Sequence, residues 1–235
     1  MAEKYKRTDG RAYDEMREIK AKAGVIKNAD GSAMFSFGDS IAIAAVYGPR
    51  QLHPQHLQDP SKCLLRCTYD MLSFSVNERK KPGPSRRSTE ISYVTGKALE
   101  PVLQLDAYPN TVIDVFISII QADASTRCAG INAASIALAN AGLPMSELVT
   151  AVSMGKVAGN ILVDLSKDEE DYRGEKIKET TDIPVAYLPR SDKISLLQLD
   201  GRIKVAELRE AIKAAKKACL KINEIQREAL KKIKE

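Results

Sequence analysis

The sequence is poor in residues that much enzyme chemistry relies on. It has two histidines, His53 and His56, and four cysteines among 235 residues. Two histidines leave a Ser-His-Asp arrangement few ways to form. Cys63, Cys67, Cys128 and Cys219 show no framework spacing, which suits a reducing cytoplasm rather than a disulfide scaffold. The fingerprints G-x-x-x-x-G-K-[ST], G-x-G-x-x-G and H-E-x-x-H are all missing. "YVTGKAL" offers Gly96-Lys97, but Ile91 stands where the first glycine belongs and Ala98 follows. "AEKYKRTDGR" after Met1 has no apolar stretch, so no signal peptide is expected.

A membrane span is also missing. Residues 128–146 carry no charge, but Asn132, Ser135, Asn140, Gly142, Pro144 and Ser146 interrupt them. The helical part falls short of the roughly 20 residues a bilayer needs. A helix apolar all round is more simply one buried inside a domain. Zinc is not adopted for His53/His56 or Cys63/Cys67. On a strand the two sulfurs lie about 13 Å apart, whereas one zinc holds each within about 2.3 Å.

What is present is ordinary for a globular protein: 44% hydrophobic and 29% charged residues. A net charge of +5, from 36 Lys and Arg against 31 Asp and Glu, permits an anionic partner without demanding one. No repeat or low-complexity linker divides the chain, so residues 1–235 read as one domain. "EIKAKAGVIKNADGSAMFSFGDSIAIAAVYGP" reads as β structure around the turn signals "NADGS" and "FGDS", ending at Gly48-Pro49. "CLLRCTYDMLSFS" and "NTVIDVFISIIQAD" read as strands, with a helix from about Thr89 to Leu105 between them. "VTAVSMGKV" with "NILVDL", and "DIPVAYLP" with "KISLLQL", read as hairpins. The charged stretch "SKDEEDYRGEKIKETT" reads as an exposed connection. From about Val205 one long helix carries a stripe of Leu208, Ile212, Ala215, Cys219, Ile222 and Ile225. Blocks of strands and helices make the class α+β.

The stretch "DASTRCAGINAASIALANAG", Asp123 to Gly142, concentrates the chemistry. A strand ending near Asp123, a polar turn and a helix opening near Thr126 together leave unpaired N–H groups and partial positive charge. Ser125 or Thr126 can cap that end or donate to a phosphate oxygen, and Arg127 adds a two-pronged donor. The alternative is an ordinary cap with Arg127 in a salt bridge, for instance to Asp123. A second basic element, "NERKKPGPSRRSTE", places Arg79, Lys80, Lys81, Arg86 and Arg87 on a proline-stiffened loop entering a helix. Such runs are commonly solvated, but adjacent arginines at a helix start can also grip consecutive phosphates of a strand.

Five segments in order resemble the ribonuclease PH family over nearly the whole chain. They are "KRTDGRAYDEMREI", with Arg7, Asp9, Gly10, Arg11 and Arg17 matching; "GDSIAIAAVYGPRQLHPQH"; "PSRRSTEIS"; "ADASTRCAGINAASIALANAGLPM"; and "DIPVA". The second and third are most similar to catalytic ribonuclease PH-like subunits of archaeal exosome rings. The resemblance implies an α+β ribonuclease PH-like fold, with mixed sheets (ribosomal protein S5 domain 2-like), packed helices and a long C-terminal helix. It also implies 3′-to-5′ phosphorolysis of RNA with inorganic phosphate as co-substrate, reversible to tailing. The implied partners are single-stranded RNA, a related inactive subunit in a ring of three heterodimers, and RNA-binding cap subunits, with no membrane and a cytoplasmic location.

By the same resemblance Ser125, Thr126 and Arg127 bind phosphate. Arg86, Arg87, Arg50 and Tyr69 bind RNA, and Asp182 is the catalytic acid. Asp182 can protonate the leaving 3′ oxygen or ligate Mg²⁺, and both roles stay open. The chain departs from the family at three places, the third being the long, charged 166–181 connection. Ser125 stands where relatives often carry Gly, which counts against a role needing positive φ there. Gln55 stands, in the loop that by the resemblance lines the pore neck, where relatives can carry Arg. No role is assigned to the 166–181 connection. A non-catalytic RNA-binding ring subunit should lack the Arg86-Arg87, Thr126-Arg127 and Asp182 set. A plain RNA-binding module needs no phosphate site, and a small-molecule kinase would require ATP.

Overall fold

Turn chemistry lays down the first sheet. The computed structural model describes residues 5–172 and 180–232. Strands β1 (Ile19–Ala23), β2 (Gly31–Phe37) and β3 (Ser40–Gln51) form an antiparallel meander across the two expected turns. β3 does not stop at Gly48-Pro49. The ladder with β5 (Thr111–Gln121) is irregular after Tyr47 and resumes at Arg50 opposite Val112. Gly48 makes this tolerable: at φ +120 a Cβ there would lie 2.5 Å from the Val112 carbonyl oxygen. β4 (Leu64–Met71) runs parallel to β5, and α1 (Arg86–Leu99) supplies the crossover that a parallel pair needs. The order is β1-β2-β3-β5-β4.

The two expected hairpins make the second sheet, β7-β6-β8-β9, all antiparallel: β6 (Thr150–Val157), β7 (Asn160–Val163), β8 (Thr181–Leu188) and β9 (Lys193–Leu197). Between the sheets runs α2 (Thr126–Asn140), in contact with β2, β3 and β5 on one side and β6 and β8 on the other. Enclosure explains its lack of charge beyond Arg127. Its polar residues are individually satisfied. The Asn132 amide donates to the Ala151 carbonyl at 2.7 Å and accepts from that residue's N–H at 2.9 Å, and Ser135 Oγ accepts from the Val149 N–H. Residues of both sheets, α2 and α4 form one continuous core. No helix among the described residues is long and apolar enough to cross a membrane.

Three elements differ from the expectations. α1 begins at Arg86, because Ser85 and Ser88 cap each other's backbone; it ends at Leu99, where a 3₁₀ turn containing Pro101 takes over. The C-terminal helix α4 (Val205–Lys231) buries Ala211, Ala215, Ala218, Cys219, Ile222, Gln226 and Ala229, leaving Leu208, Ile212 and Ile225 half-buried on its flank. Small side chains bring the helix close, and the Gln226 amide finds the Asn132 side chain and the Val149 carbonyl, both at 3.0 Å. The 166–181 connection is not simply exposed. It contains the short helix α3 (Lys167–Glu170), whose Glu169 is fully buried against Arg7; 173–179 lie outside the described residues.

Two glycines test the packing. A Cβ on Gly31 would stand 2.3 Å from the Ala137 carbonyl oxygen and 2.4 Å from the Ala141 nitrogen of α2. One on Gly96 would meet only Cys67 Sγ at 3.7 Å. Gly31→Ala should lose at least about 1–3 kcal/mol in urea unfolding through overpacking. Gly96→Ala should gain up to about 1 kcal/mol of helix propensity. Equal stability of the two variants would mean that β2 does not press on α2 as described.

Candidate active site

β5 delivers the chain to Asp123, and the next two residues are strained. Ala124 (φ 54) and Ser125 (φ 52) are both left-handed without being glycine, at about 1–3 kcal/mol each. Serine therefore adopts the conformation that its identity argued against, and the surroundings explain how. Ser40 Oγ donates to the Ala124 carbonyl and accepts from the Asp123 N–H. Ser125 Oγ donates to Asp164 Oδ1 at 3.1 Å, with the Leu165 carbonyl at 3.2 Å. The fully buried Asp164 carboxylate also takes Arg17 through its N–H and Nε at 2.9 Å and Nη2 at 2.7 Å. Arg17 reaches on to Asp123 Oδ2 at 2.9 Å, and Asp123 Oδ1 accepts the Lys167 N–H.

This changes the part assigned to Ser125. Its hydroxyl faces Asp164 and not the helix mouth, so its side chain is not the phosphate donor. No side chain caps α2, which leaves the first-turn N–H groups of Thr126, Arg127 and Cys128 for a ligand. Arg127 is not paired with Asp123. Its Nη2 donates to Glu90 Oε2 at 3.1 Å and its Nη1 to Gln198 Oε1, while Gln198 Nε2 donates to Glu90 Oε1 at 2.9 Å.

A cleft of about 490 Å³ opens on this helix start, lined among others by Thr126, Ala124, Arg87, Arg79, Lys80 and Lys167. Arg86 and Arg87 are exposed at the start of α1, with no ion pair among the described residues. Asp182 opens β8, where it exchanges both backbone hydrogen bonds with Asp200 at 2.9 Å. Burial pushes its carboxyl pKa up. The hydrogen bond from Ser153 opposes that, Glu170 and Asp200 raise it further, and Arg127 lowers it. Among the described residues no three His, Cys, Asp or Glu side chains gather as a metal site.

Two of the residues expected to meet RNA lie elsewhere. Tyr69 is 3% exposed; it stands beneath the cleft with its hydroxyl 3.0 Å from Thr126 Oγ1, so its ring is not a surface for RNA. The inward face of β4 carries it there. Arg50 is exposed over the Tyr47 ring and paired with Asp30 at 3.4 Å. It lies opposite Val112, and the site lies beyond Gln121, roughly 30 Å along β5 at about 3.3 Å per residue. The short turn Gln55–Leu57, with Gln55, follows at that same far end. Residue-by-residue reading missed Asp164, Glu90, Gln198 and Ser153. For Asp164 the arginines at 11 and 17 are the signal, since cations near one terminus imply carboxylates to receive them; Glu90 and Gln198, which hold Arg127, and Ser153, which holds Asp182, have no such signal.

An uncapped helix start and the arginines of α1, which have no ion pair among the described residues, open on one cleft of an α+β scaffold, an arrangement suited to phosphate groups. The chain belongs to the 3′ exoribonuclease (RNase PH) family, whose domain 1 model matches residues 15–144 and domain 2 model residues 147–218. It is 54% identical over 226 residues to exosome complex component Rrp41 of Pyrococcus furiosus, covering 96% of this chain and 88% of that one. It is 51% identical to Rrp41 of Methanopyrus kandleri over 225 residues, covering 96% and 92%. The fold is that of rice Rrp46 (TM-score 0.83, 23% identity, 96% of this chain and 100% of that one). It also matches a chain of the Archaeoglobus fulgidus exosome with RNA bound to the active site (TM-score 0.78, 22% identity, 93% and 92%).

Asp164→Ala should be expensive, because it leaves the Arg17 guanidinium underpaired in a buried place. A loss of about 3–5 kcal/mol in chemical denaturation is expected. A loss below about 1 kcal/mol would show that Asp123 alone suffices to hold Arg17.

Proposed function

We infer that this chain is the catalytic subunit of an exosome ring, a phosphate-dependent 3′-to-5′ exoribonuclease that releases nucleoside diphosphates and runs in reverse as an RNA-tailing enzyme. One observation carries the reading: Arg87 and Thr126, at two helix starts, line one cleft. Two anions must meet in phosphorolysis, and the cleft offers a separate positive surface to each. The α2 start with Thr126 and Arg127 holds inorganic phosphate. Arg86 and Arg87 hold the RNA backbone. The phosphate oxygen attacks the phosphorus of the last linkage, the bond to the 3′ oxygen breaks, and the shortened RNA leaves with a new 3′ hydroxyl. No protein nucleophile is needed; the work is positioning and charge stabilisation.

Asp182 supplies the proton that the departing 3′ oxygen requires. A carboxyl raised by burial keeps its proton to higher pH than an ordinary aspartic acid. Mg²⁺ takes one or two carboxylates and completes its shell with water and substrate phosphates, so Asp182 suits it too. Bound there, it would neutralise charge on the phosphates. Arg50 and Gln55, remote from the cleft, fit a guiding contact on RNA approaching from the other end of the sheet. In the same reading the chain is one folding unit, pairs with a related inactive subunit in a ring of three heterodimers, takes RNA-binding caps, and works in the cytoplasm.

Product analysis on RNA with and without inorganic phosphate tests the activity. Nucleoside diphosphates should form only with phosphate; RNA binding without product would leave a non-catalytic ring subunit. Asp182→Asn should bind RNA normally and lose at least about a hundredfold in both directions. The wild-type rate should fall as pH rises through the raised Asp182 pKa. The stability attached to that group runs the same way: full below the unfolded carboxyl pKa, lost as pH rises through the folded one. A rate that rises over that window, or an active Asn variant, removes Asp182 from the chemistry. Arg86→Glu with Arg87→Glu should weaken RNA binding and flatten its salt dependence. An unchanged slope would take both arginines off the RNA path.

A further inference from the structure

The Tyr69 hydroxyl is buried, and its single hydrogen-bond partner among the described residues is Thr126 Oγ1, 3.0 Å away. The ring is held in place. Gly130 lies one turn beyond Thr126 on the same face of α2, and a Cβ there would come within 3.6 Å of Tyr69 Cε2 and 3.0 Å of Ile117 Cγ2. A glycine inside a buried helix costs about 1 kcal/mol against alanine; here it makes room for an aromatic ring directly under the helix start. The tyrosine backbone is fixed as well, its N–H donating to Ser92 Oγ at 2.8 Å. A phenol so confined can do little except address Thr126.

We propose that Tyr69 is a positioning residue for the phosphate site: by donating to Thr126 Oγ1 it turns the threonine's own proton outward to the bound phosphate. The reasoning is a count of protons. Each hydroxyl carries one. The Tyr69 hydroxyl has no other acceptor among the described residues, so the opposite arrangement, Thr126 donating to the tyrosine oxygen, would leave the phenol proton buried and unpaired and present only lone pairs to an anion. With Tyr69 donating, Thr126 accepts from below and donates above, and the two bonds polarise each other in a low-dielectric setting. Burial keeps the phenol pKa up, at about 12, so it stays protonated although the hydrogen bond with Thr126 and the charges of Arg87 and Arg127 pull the other way. The proposal rests on the phosphate reading of the α2 start.

Tyr69→Phe keeps the ring on Gly130 and removes one proton donor. Thr126→Val removes the same bond from the other side at nearly equal volume. In the assembled complex, Tyr69→Phe should raise the KM for phosphate about threefold to tenfold, the effect of one hydrogen bond, leaving kcat and the KM for RNA within about twofold. In the Thr126→Val background the same change should do nothing further. An unchanged KM for phosphate, or an equal penalty with and without the Thr126 hydroxyl, overturns the proposal and leaves Tyr69 as packing. Phosphate affinity by calorimetry on the same four proteins reads the coupling without turnover. If the wild type binds phosphate but does not cleave RNA, the activity fails while the Tyr69 coupling is still decided by this cycle. Absence of phosphate binding to the wild type overturns both.

Discussion

The two oxygens of the Asp164 carboxylate, at zero side-chain exposure, receive the Arg17 amide and guanidinium and the Ser125 hydroxyl. That single buried charge joins three parts of the chain. Arg17 belongs to the segment entering β1, Ser125 to the turn before α2, and Asp164 itself follows β7. Its neighbourhood is charged throughout. Arg7 spends its donors on Glu169, at 2.8 and 3.0 Å, and on the carbonyls of Ala12, Glu15, Val163 and Asp164. Arg11 leans on Asp9 and on the Asp164 carbonyl. Buried ion pairs contribute little net stability, because desolvation offsets the attraction. What they supply here is registry. The left-handed pair Ala124-Ser125 survives only because its surroundings over-determine it, and the N–H groups of α2 point into the cleft only because that pair turns the chain.

The two helix starts at the cleft follow opposite designs. α1 is closed by the Ser85–Ser88 capping box, so its backbone donors are partly used and its side chains, Arg86 and Arg87, carry the charge outward. α2 has no cap, and its backbone donors are left for the ligand. A long, exposed polyanion is suited by mobile cations that move with it. A small ion in a recess is suited by fixed N–H groups that lose no freedom on binding. On the proposed reading, the difference between RNA and inorganic phosphate is thus already present in how each helix begins.

Periodicity and turn chemistry made the hairpins, the meander and the buried α2 legible, since each depends on residues near one another in sequence. Thr126 and Arg87 were legible as cleft residues by the same local logic. Legibility ended where an answer depends on which elements meet. Ser125 reads as a cap or a donor until Asp164, distant in sequence, takes its hydroxyl. Tyr69 reads as an aromatic for RNA until the parallel pairing of β4 with β5 puts it under α2. Arg50 reads as one of a set of cations until the length of β5 separates it from the rest. In α4 the expected stripe holds at Ala215, Cys219 and Ile222, but close approach to the sheet selects Ala211, Ala218 and Ala229 over Leu208, Ile212 and Ile225.

Arg127 shows how far the cleft is arranged before any substrate arrives. Glu90, Gln198 and Arg127 close a ring of three hydrogen bonds that ties α1, α2 and the residue after β9 together. A guanidinium has five donors; two are engaged here, and three remain. Glu90 neutralises part of the arginine's charge, which weakens its pull on phosphate. In exchange it fixes the plane of the fork, so that little side-chain freedom is lost when an anion binds. The same carboxylate stands one helical turn from Arg86 on α1. Any shift of α1 is therefore felt by Arg127, directly through Glu90 and again through Gln198. If the cleft brings two anions together as proposed, a shared acidic side chain between their cationic sites is the simplest way to keep those sites in a fixed relation.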